Sequence, residues 1–578
     1  MDPTEILYFD IETDGLDPTL IHQLTIIDGT GEHYSYNHEV GNLRKGLTHL
    51  ERGRTLIGHN VISYDLPALW KLYPEFTIRP EVVQDTLVLA RLAWPHIANR
   101  DYAAKDFPRE LCGRHSLKAL GQRLGFPKYD YGEDMDDPWA KWSPEMEKYC
   151  LRDVQVVVRL FKEIEKQELP AKANYMEHHI HALMEDATRR GWYFDRPKAD
   201  KLYVRLVAEK DQLEAHLQEL FPPKEIQLKT KVKVVPFNPG SRVQIAERFQ
   251  EQGWTPKEFT PEGRPKISET ILESMEDEYP EAETLKRFLL VQKRLGQLAE
   301  GKNSWLGLVE DDDRIHGKFI TCGGTVSHRM THYAPNLSQC PISNSAFGKE
   351  MRALFRVPSG YKLVGTDLSG AELRLLAHAM AYWDNGKFAK VCEEGDPHQE
   401  NADRLQISRS QAKVVQFALI YGAGDQMLGE AVGGDRRDGA EIRFKFYKTH
   451  PAFQKLVETM QQRAKDNKHL IGLDGRKLYP RSQHSVLNLW IQNATVCVAK
   501  YAALAHRDAL EEHGLADQLD YAFLGHFHDE WQIEVLEHHA EFVASMALPA
   551  SESAGDYYNL NVRLGGDTAI GSNWAETH

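Results

Sequence analysis

Closely spaced cysteines are missing from this chain. Its six, Cys112, Cys150, Cys322, Cys340, Cys392 and Cys497, are scattered over 578 residues. That spacing excludes a disulfide-stapled secreted scaffold and a Cys-x-x-Cys zinc site, and it predicts buried thiols. Also missing is any uninterrupted apolar run long enough to cross a bilayer, and the opening Met-Asp-Pro-Thr-Glu-Ile-Leu-Tyr-Phe-Asp lacks the basic and apolar regions of a signal peptide. An intracellular protein with no membrane partner is expected. Positive charge is in deficit too: 70 Lys and Arg stand against 85 Asp and Glu, a formal net charge of -15. Any nucleic-acid role therefore requires the cations to be gathered in one channel of an otherwise acidic surface. What the chain does have is length and apolar content, with 42% hydrophobic and 27% charged residues, enough for several domains with their own cores.

Residues 363–377, Leu-Val-Gly-Thr-Asp-Leu-Ser-Gly-Ala-Glu-Leu-Arg-Leu-Leu-Ala, run from an apolar strand into an amphipathic helix, with Asp367 at the join. Far along the chain, Gly525 to Val535 reads as a hairpin: Phe523, Gly525 and Phe527 alternate on one arm, Trp531, Ile533 and Val535 on the other, and the tip carries His528, Asp529 and Glu530. Laid side by side, the two stretches make Asp367 face Asp529. Two bare carboxylates about 4 Å apart repel by roughly 4 kcal/mol at an effective dielectric near 20. Such a pair calls for a divalent cation, and hard oxygen ligands without Cys or His favour Mg²⁺. A third stretch fits beside them. Arg409, Lys413, Phe417 and Tyr421 recur at steps of four, one helical face that is cationic at its start and aromatic at its end, closed by Gly422. That face suits a nucleoside triphosphate, whose phosphates pair with the cations and whose base stacks on the rings.

In chain order, Asp367-x-Ser369-x-x-Glu372-Leu373-Arg374, then Arg409-x-x-x-Lys413 running to Phe417 and Tyr421-Gly422, then His528-Asp529-Glu530 resemble motifs A, B and C of family A DNA polymerases, the polymerase I family. The resemblance implies an α+β right-hand domain with palm, fingers and thumb that binds primer-template DNA and adds dNTPs to the primer 3′ end. It makes Asp367 and Asp529 bridge two Mg²⁺ ions, with the Leu368 carbonyl as a further ligand and Mn²⁺ able to substitute. Lys413 and Arg409 neutralise the triphosphate, His398 contacts it, Phe417 lies by the sugar and Glu372 crowds the sugar 2′ position. Tyr421, Arg329 and His528 complete the substrate-binding set, and Asn488 with Gln492 donates to the duplex minor groove.

At the other end, Ile6 to Glu12 is an apolar strand whose alternation puts Asp10 and Glu12 on one face. Residues 56–69 bring Asn60 and Asp65 into a strand-to-helix turn, and Tyr149 and Asp153 fall one helical turn apart. Jointly these residues resemble the DEDD-type 3′–5′ proofreading exonucleases. In that family the four acids hold two divalent ions and the tyrosine helps orient the attacking water. Asp85 and residues 115–120 read as supporting elements. The expected fold is thus an α/β, ribonuclease H-like exonuclease domain over residues 1–168, followed by the polymerase domain over 169–578. Within the latter the thumb is expected at about 180–315, the palm at about 316–395 and 482–578, and the fingers at about 396–481.

From about Leu169 the pattern turns helical. Glu177-His178-His179-Ile180-His181 reads as a solvated helix face, because no third metal ligand is in view. Long helices are expected over 197–220 and 279–300, the second carrying Lys286, Arg287, Lys293 and Arg294 as a basic stripe able to follow a phosphate backbone. The glycines of 422–429 imitate a dinucleotide loop but follow a helix instead of a strand, which excludes that reading. Phe237-Asn238-Pro239, Gln292-Lys293-Arg294, Gly323-Gly324-Thr325, Arg329, Thr331, His332 and residues 335–339 resemble the replicative polymerases of short-tailed, T-seven-like phages. That branch implies a helicase-primase and a single-strand DNA-binding protein as partners in viral DNA replication, in the cytoplasm of an infected bacterium. Well-known members carry a thumb insertion that recruits thioredoxin. Here the short Pro222 to Pro236 segment stands in its place, so thioredoxin is not an expected partner. A single-subunit RNA polymerase shares motif B, but Glu372 and the N-terminal nuclease pattern argue against it.

Overall fold

The computed structural model describes residues 2–132, 136–227 and 232–578. Strands β1 (Ile6–Thr13), β2 (Ile21–Asp28), β3 (His33–Asn37), β4 (Thr55–Gly58) and β5 (Val83–Asp85) form one sheet in the order β3-β2-β1-β4-β5. The first three run antiparallel, and β4 and β5 continue the sheet parallel to β1. Both faces are covered. Leu7, Phe9 and Ile11 turn one way, into a core with Leu24, Leu47 and Leu66, while Tyr8 turns the other way, onto Val154, Val157 and Leu160 of the helix Pro144–Glu165. Alternation along β1 therefore sends Asp10 and Glu12 toward that same helix.

A second sheet joins β6 (Tyr361–Leu368), β7 (Tyr521–Phe527), β8 (Glu530–Leu536) and β9 (Gly566–Gly571) in the order β7-β8-β6-β9, all antiparallel. Val364 and Leu368 of β6 pack with Phe523, Trp531 and Ile533 against the helices Ala171–Arg190, Val486–Glu512 and Ala540–Tyr557. Asp367, one step out of phase, points away from that core. The hairpin of β7 and β8 turns at His528 and Asp529, with Glu530 already in the second strand. Between β6 and β7, helices from Ala371–Asp384 to Pro451–Asn467 build a separate core.

The helices Arg196–Leu220 and Glu281–Leu295 pack antiparallel: Leu202 and Leu206 share a core with Val291 and Leu295, and Leu217 shares another with Leu285 and Phe288. Two expectations fail here. Arg294 is buried, and Lys286 and Arg287 are paired with Glu276 and Glu209 at 2.5 Å, so of the basic stripe Lys293 alone stands exposed with no ion pair among the described residues. The helix turns its basic face toward acids of its neighbours. Nor is the histidine segment a solvated face, because His178 and His181 are 4% and 2% exposed, pressed against the N-terminal sheet. At 222–236 a short hairpin pairs Lys224–Gln227 with Val232–Val235, and residues 228–231 of that segment lie outside the described ones.

Two glycines are demanded by close approach. Gly323 (φ +73°) sits where a Cβ would lie 2.8 Å from the Arg91 carbonyl oxygen, at the seam between the two parts. At Gly422 (φ +74°) a Cβ would lie 2.0 Å from the His484 oxygen, so the chain leaves the helix Arg409–Ile420 through a turn only glycine fits.

Candidate active sites

In the second sheet Asp367 pairs with Glu530 on one side and Asp567 on the other, and the Leu368 N–H donates to the Asp529 carbonyl at 3.1 Å. Residues far apart in sequence thus meet at one sheet end. Burial, then the neighbouring charges of Asp529 and Glu530, push the Asp367 carboxyl up to about 7. Burial also raises that of Asp529. Glu530 differs. Its carboxylate accepts from Gln532 Nε2 at 2.6 Å and Trp574 Nε1 at 2.7 Å, and pairs with His578 Nδ1 at 2.5 Å. Burial disfavours its charge, yet His578 and those donors hold its carboxyl below the ordinary glutamate range. Glu530 is spent on protein donors, which leaves Asp367 and Asp529 as the carboxylates open to a cation.

The helix Arg409–Ile420 begins with a capping box of Ser408 and Gln411, and Tyr421 ends it in register with the predicted row. Arg409 Nε donates to Asp396 Oδ2 at 2.7 Å, whereas Lys413 stands exposed with no ion pair among the described residues. His398 shares a hydrogen bond of 2.9 Å with Gln416, and its ring centroid lies 5.9 Å from that of Phe417, which lies 6.1 Å from that of Tyr421. Three motifs lock together at Glu372: Arg329 Nη2 donates to one carboxylate oxygen and the Tyr421 hydroxyl to the other, both at 3.0 Å. Asn488 and Gln492 lie on the helix Val486–Glu512, and Asn488 Oδ1 is buried without a partner among the described residues. His528 occupies the hairpin turn with φ +64°.

Between the N-terminal sheet and the helix Pro144–Glu165, the side chains of Asp10, Glu12 and Cys150 offer ligand atoms all within 4.8 Å of one another. Asp65 opens the helix Asp65–Leu72 and accepts the Ile11 N–H at 3.2 Å, which ties it to β1. Asp153 faces them from the helix Pro144–Glu165, as does Tyr149. Burial, then mutual repulsion, raises the carboxyls of Asp10 and Glu12 well above their usual range. Burial brings Asp65 to about 7, and brings Asp153 to about 6 against the pull of Lys128. Glu12 Oε1 and Asp153 Oδ1 are buried without hydrogen-bond partners among the described residues. Four crowded carboxylates with orphaned oxygens fit hard divalent cations.

Two neighbours of this site escaped the sequence reading. Lys128 is ion-paired with Asp153 and lies 4.8 Å from the centre of the Tyr149 ring. Burial opposes its charge, but Asp153, Tyr149 and Asp10 together hold its pKa above the usual lysine value, while burial lifts the Tyr149 hydroxyl to about 12. Lys128 comes from a loop with no periodic pattern, so nothing local marks it. Cys150 could have been found: it directly follows Tyr149 on a helix already recognised.

These carboxyls hold protons more tightly in the fold than in the unfolded chain, whose aspartates titrate near 3.8. Folded protein then binds the extra protons, so stability falls as pH rises from about 4 to about 7. In metal-free buffer, the melting temperature is expected to drop between about pH 4 and 7. Asp65→Asn should flatten that drop, and Mg²⁺ should reverse it, each by about 2–4 °C per kcal/mol recovered in scanning calorimetry. A pH-independent melting temperature that ignores Mg²⁺ contradicts the crowding.

The chain is similar to known proteins over nearly its whole length. DNA polymerase family A matches residues 206–576, and the RNase H superfamily matches residues 7–165. A DNA-directed DNA polymerase of Enterobacteria phage T3 is 30% identical over 99% of this chain and 100% of its own length. Its counterpart in Escherichia phage T7 is 30% identical over 98% and 99%. The POL domain of Pol1 from M. smegmatis, solved with DNA primer-template and dNTP, superposes with a TM-score of 0.76 at 18% identity, covering 99% of this chain and 96% of that one. Among the described residues no helix is long and apolar enough to cross a membrane.

Proposed function

This chain belongs to DNA polymerase family A, with an RNase H-like exonuclease domain before the polymerase, and from that premise we propose that it copies a DNA template by adding dNTPs to a primer 3′ end and proofreads the product. The observation that carries the reading is the meeting of Asp367 and Asp529 on hydrogen-bonded neighbours, with Tyr421, at the end of the Arg409, Lys413, Phe417 and Tyr421 row, bonded to Glu372 just beyond Asp367. We assign the second sheet to the palm, the helices of about 396–481 to the fingers and those of about 180–315 to the thumb. Family A chemistry uses divalent metal. Asp367, Asp529 and the Leu368 carbonyl would hold two Mg²⁺ ions here, and Asp10, Glu12, Asp65 and Asp153 a second pair, with Mn²⁺ able to substitute. When bound, such ions lower the pKa of a hydroxyl or water and stabilise the departing oxygen.

The protein's own groups supply the rest. Lys413 and Arg409 neutralise the triphosphate, and Arg409 must first leave Asp396. His398 adds a donor to the same phosphates. Glu372, held rigid by Arg329 and Tyr421, blocks a 2′ hydroxyl and so excludes ribonucleotides. Tyr149 orients the water that attacks a mismatched 3′ nucleotide. Phe417 packs by the sugar without a hydroxyl and cannot replace a missing 3′ hydroxyl. Phe417→Tyr is therefore expected to raise dideoxynucleotide incorporation at least about ten-fold, with dNTP use unchanged. Termination ladders on one template measure it, and identical ladders contradict it.

Near-complete coverage of the T3 and T7 polymerases supports a place in phage genome replication inside a bacterial cell. A helicase-primase and a single-strand DNA-binding protein are the proposed partners there, and thioredoxin is not. Extension of a primed template in Mg²⁺ tests the polymerase reading, and a protein that binds the template yet adds nothing refutes it.

A further inference from the structure

We infer that His178, on the first helix of the polymerase part, is a positioning residue for the exonuclease site. The inference rests on the exonuclease reading above. The helix Ala171–Arg190 lies against β5, and His178 Nε2 accepts the backbone N–H of Asp85 at 2.8 Å while its Nδ1 donates to the Asn174 carbonyl at 2.9 Å. The two bonds fix the tautomer, and burial keeps the ring neutral by lowering its pKa against the opposing pull of Asn174 and Asp85. Asp85 is fully buried, and it is the hub of the turn that delivers Asp65. Its Oδ1 accepts the N–H of Asn60 and of Leu87, both at 2.8 Å, and its Oδ2 accepts the N–H of Ile62 at 3.1 Å.

The strand-to-helix turn from Gly58 to Asp65 is thus pinned to Asp85, and Asp85 is pinned to His178. The same helix reaches the turn again one helical turn on, where His181 Nε2 and Ser63 Oγ share a hydrogen bond of 3.1 Å. Asn174 Nδ2 adds a bond to Gln84 Oε1 at 2.9 Å. Asn60 takes φ +65°, a left-handed conformation that asparagine adopts more readily than other side-chain-bearing residues and that suits this tight turn. Since Asp65 in turn accepts the Ile11 N–H beside Asp10 and Glu12, the placement of the acids depends on a side chain from the other part of the molecule. Without His178, Asp85 keeps its carboxylate bonds but its buried N–H loses its acceptor, and the turn is free to shift.

The test sets degradation of single-stranded DNA beside extension of a primed template, both in Mg²⁺, for wild type, His178→Ala and His178→Gln. His178→Ala is expected to lower exonuclease kcat about ten-fold with KM for the DNA nearly unchanged, and to leave extension within about two-fold. His178→Gln, whose Oε1 can stand where Nε2 stood, should recover most of the loss. Hydrogen exchange should show faster exchange at the Asn60 and Ile62 amides in His178→Ala than in His178→Gln. Equal degradation by wild type and His178→Ala overturns the inference, as do parallel loss of both activities or a Gln variant no better than Ala. A wild type that degrades nothing overturns the exonuclease reading itself, and this inference with it.

Discussion

Asp529→Ala is expected to cut primer extension by about a thousand-fold or more while removal of a mismatched 3′ nucleotide stays within about two-fold. The substitution is clean. The Leu368 N–H bonds to the backbone oxygen of Asp529, so that contact and the hairpin turn survive loss of the carboxylate. What disappears is one of two neighbouring carboxylates that otherwise repel, at a position that is not part of the core, so the variant should fold as well as the wild type. Asp10→Ala is the mirror experiment: its backbone register with Thr25 is kept, its carboxylate leaves the first site, and degradation should vanish with synthesis intact. Extension and degradation of one mismatched primer, followed for all three proteins, read both outcomes. Loss of both activities from either single change would falsify the two-site assignment.

Lys413→Ala should weaken dNTP use about a hundred-fold, more than Arg409→Ala. Both cations sit on one face of the helix Arg409–Ile420, yet their starting states differ. Arg409 is engaged with Asp396 at 2.7 Å and must surrender that partner to meet a phosphate, so part of its gain is cancelled. Lys413 has no ion pair to give up among the described residues. Asp396→Asn follows from the same comparison: its amide oxygen can still cap the helix Pro397–Leu405 that carries His398, while losing the charge loosens its hold on Arg409 and should lower the apparent KM for dNTP by a few fold. Single-turnover incorporation across a range of dNTP concentrations separates these effects, and equal losses from the two cation substitutions would contradict the argument.

What the sequence made legible was whatever rests on local periodicity. The β6 strand running into the helix Ala371–Asp384, the β7 and β8 hairpin and the four-residue steps from Arg409 to Tyr421 each carry their geometry within a dozen residues. Alternation in β1 placed Asp10 and Glu12 on one face, and the structure has them there beside Cys150. Contacts made across the chain left no such trace. Lys128 meets Asp153 from an irregular loop, and Glu530 is claimed by Trp574 and His578. The histidines of the Ala171–Arg190 helix read as solvated because nothing nearby shows that a sheet covers them. The supposed basic stripe failed likewise: Arg294 turns into the core, and Glu209 and Glu276, which claim two of the other cations, lie on other segments.

The register of β6 has a consequence for biogenesis. Its two flanking strands, β8 and β9, leave the ribosome more than 150 residues after it does, so a growing chain carries an apolar strand with both edges bare until they emerge. The five-stranded unit, by contrast, is complete once the helix holding His178 has emerged. Interrupted translation should therefore release fragments able to trim DNA but unable to lengthen it, and those fragments should be prone to clump through that bare strand.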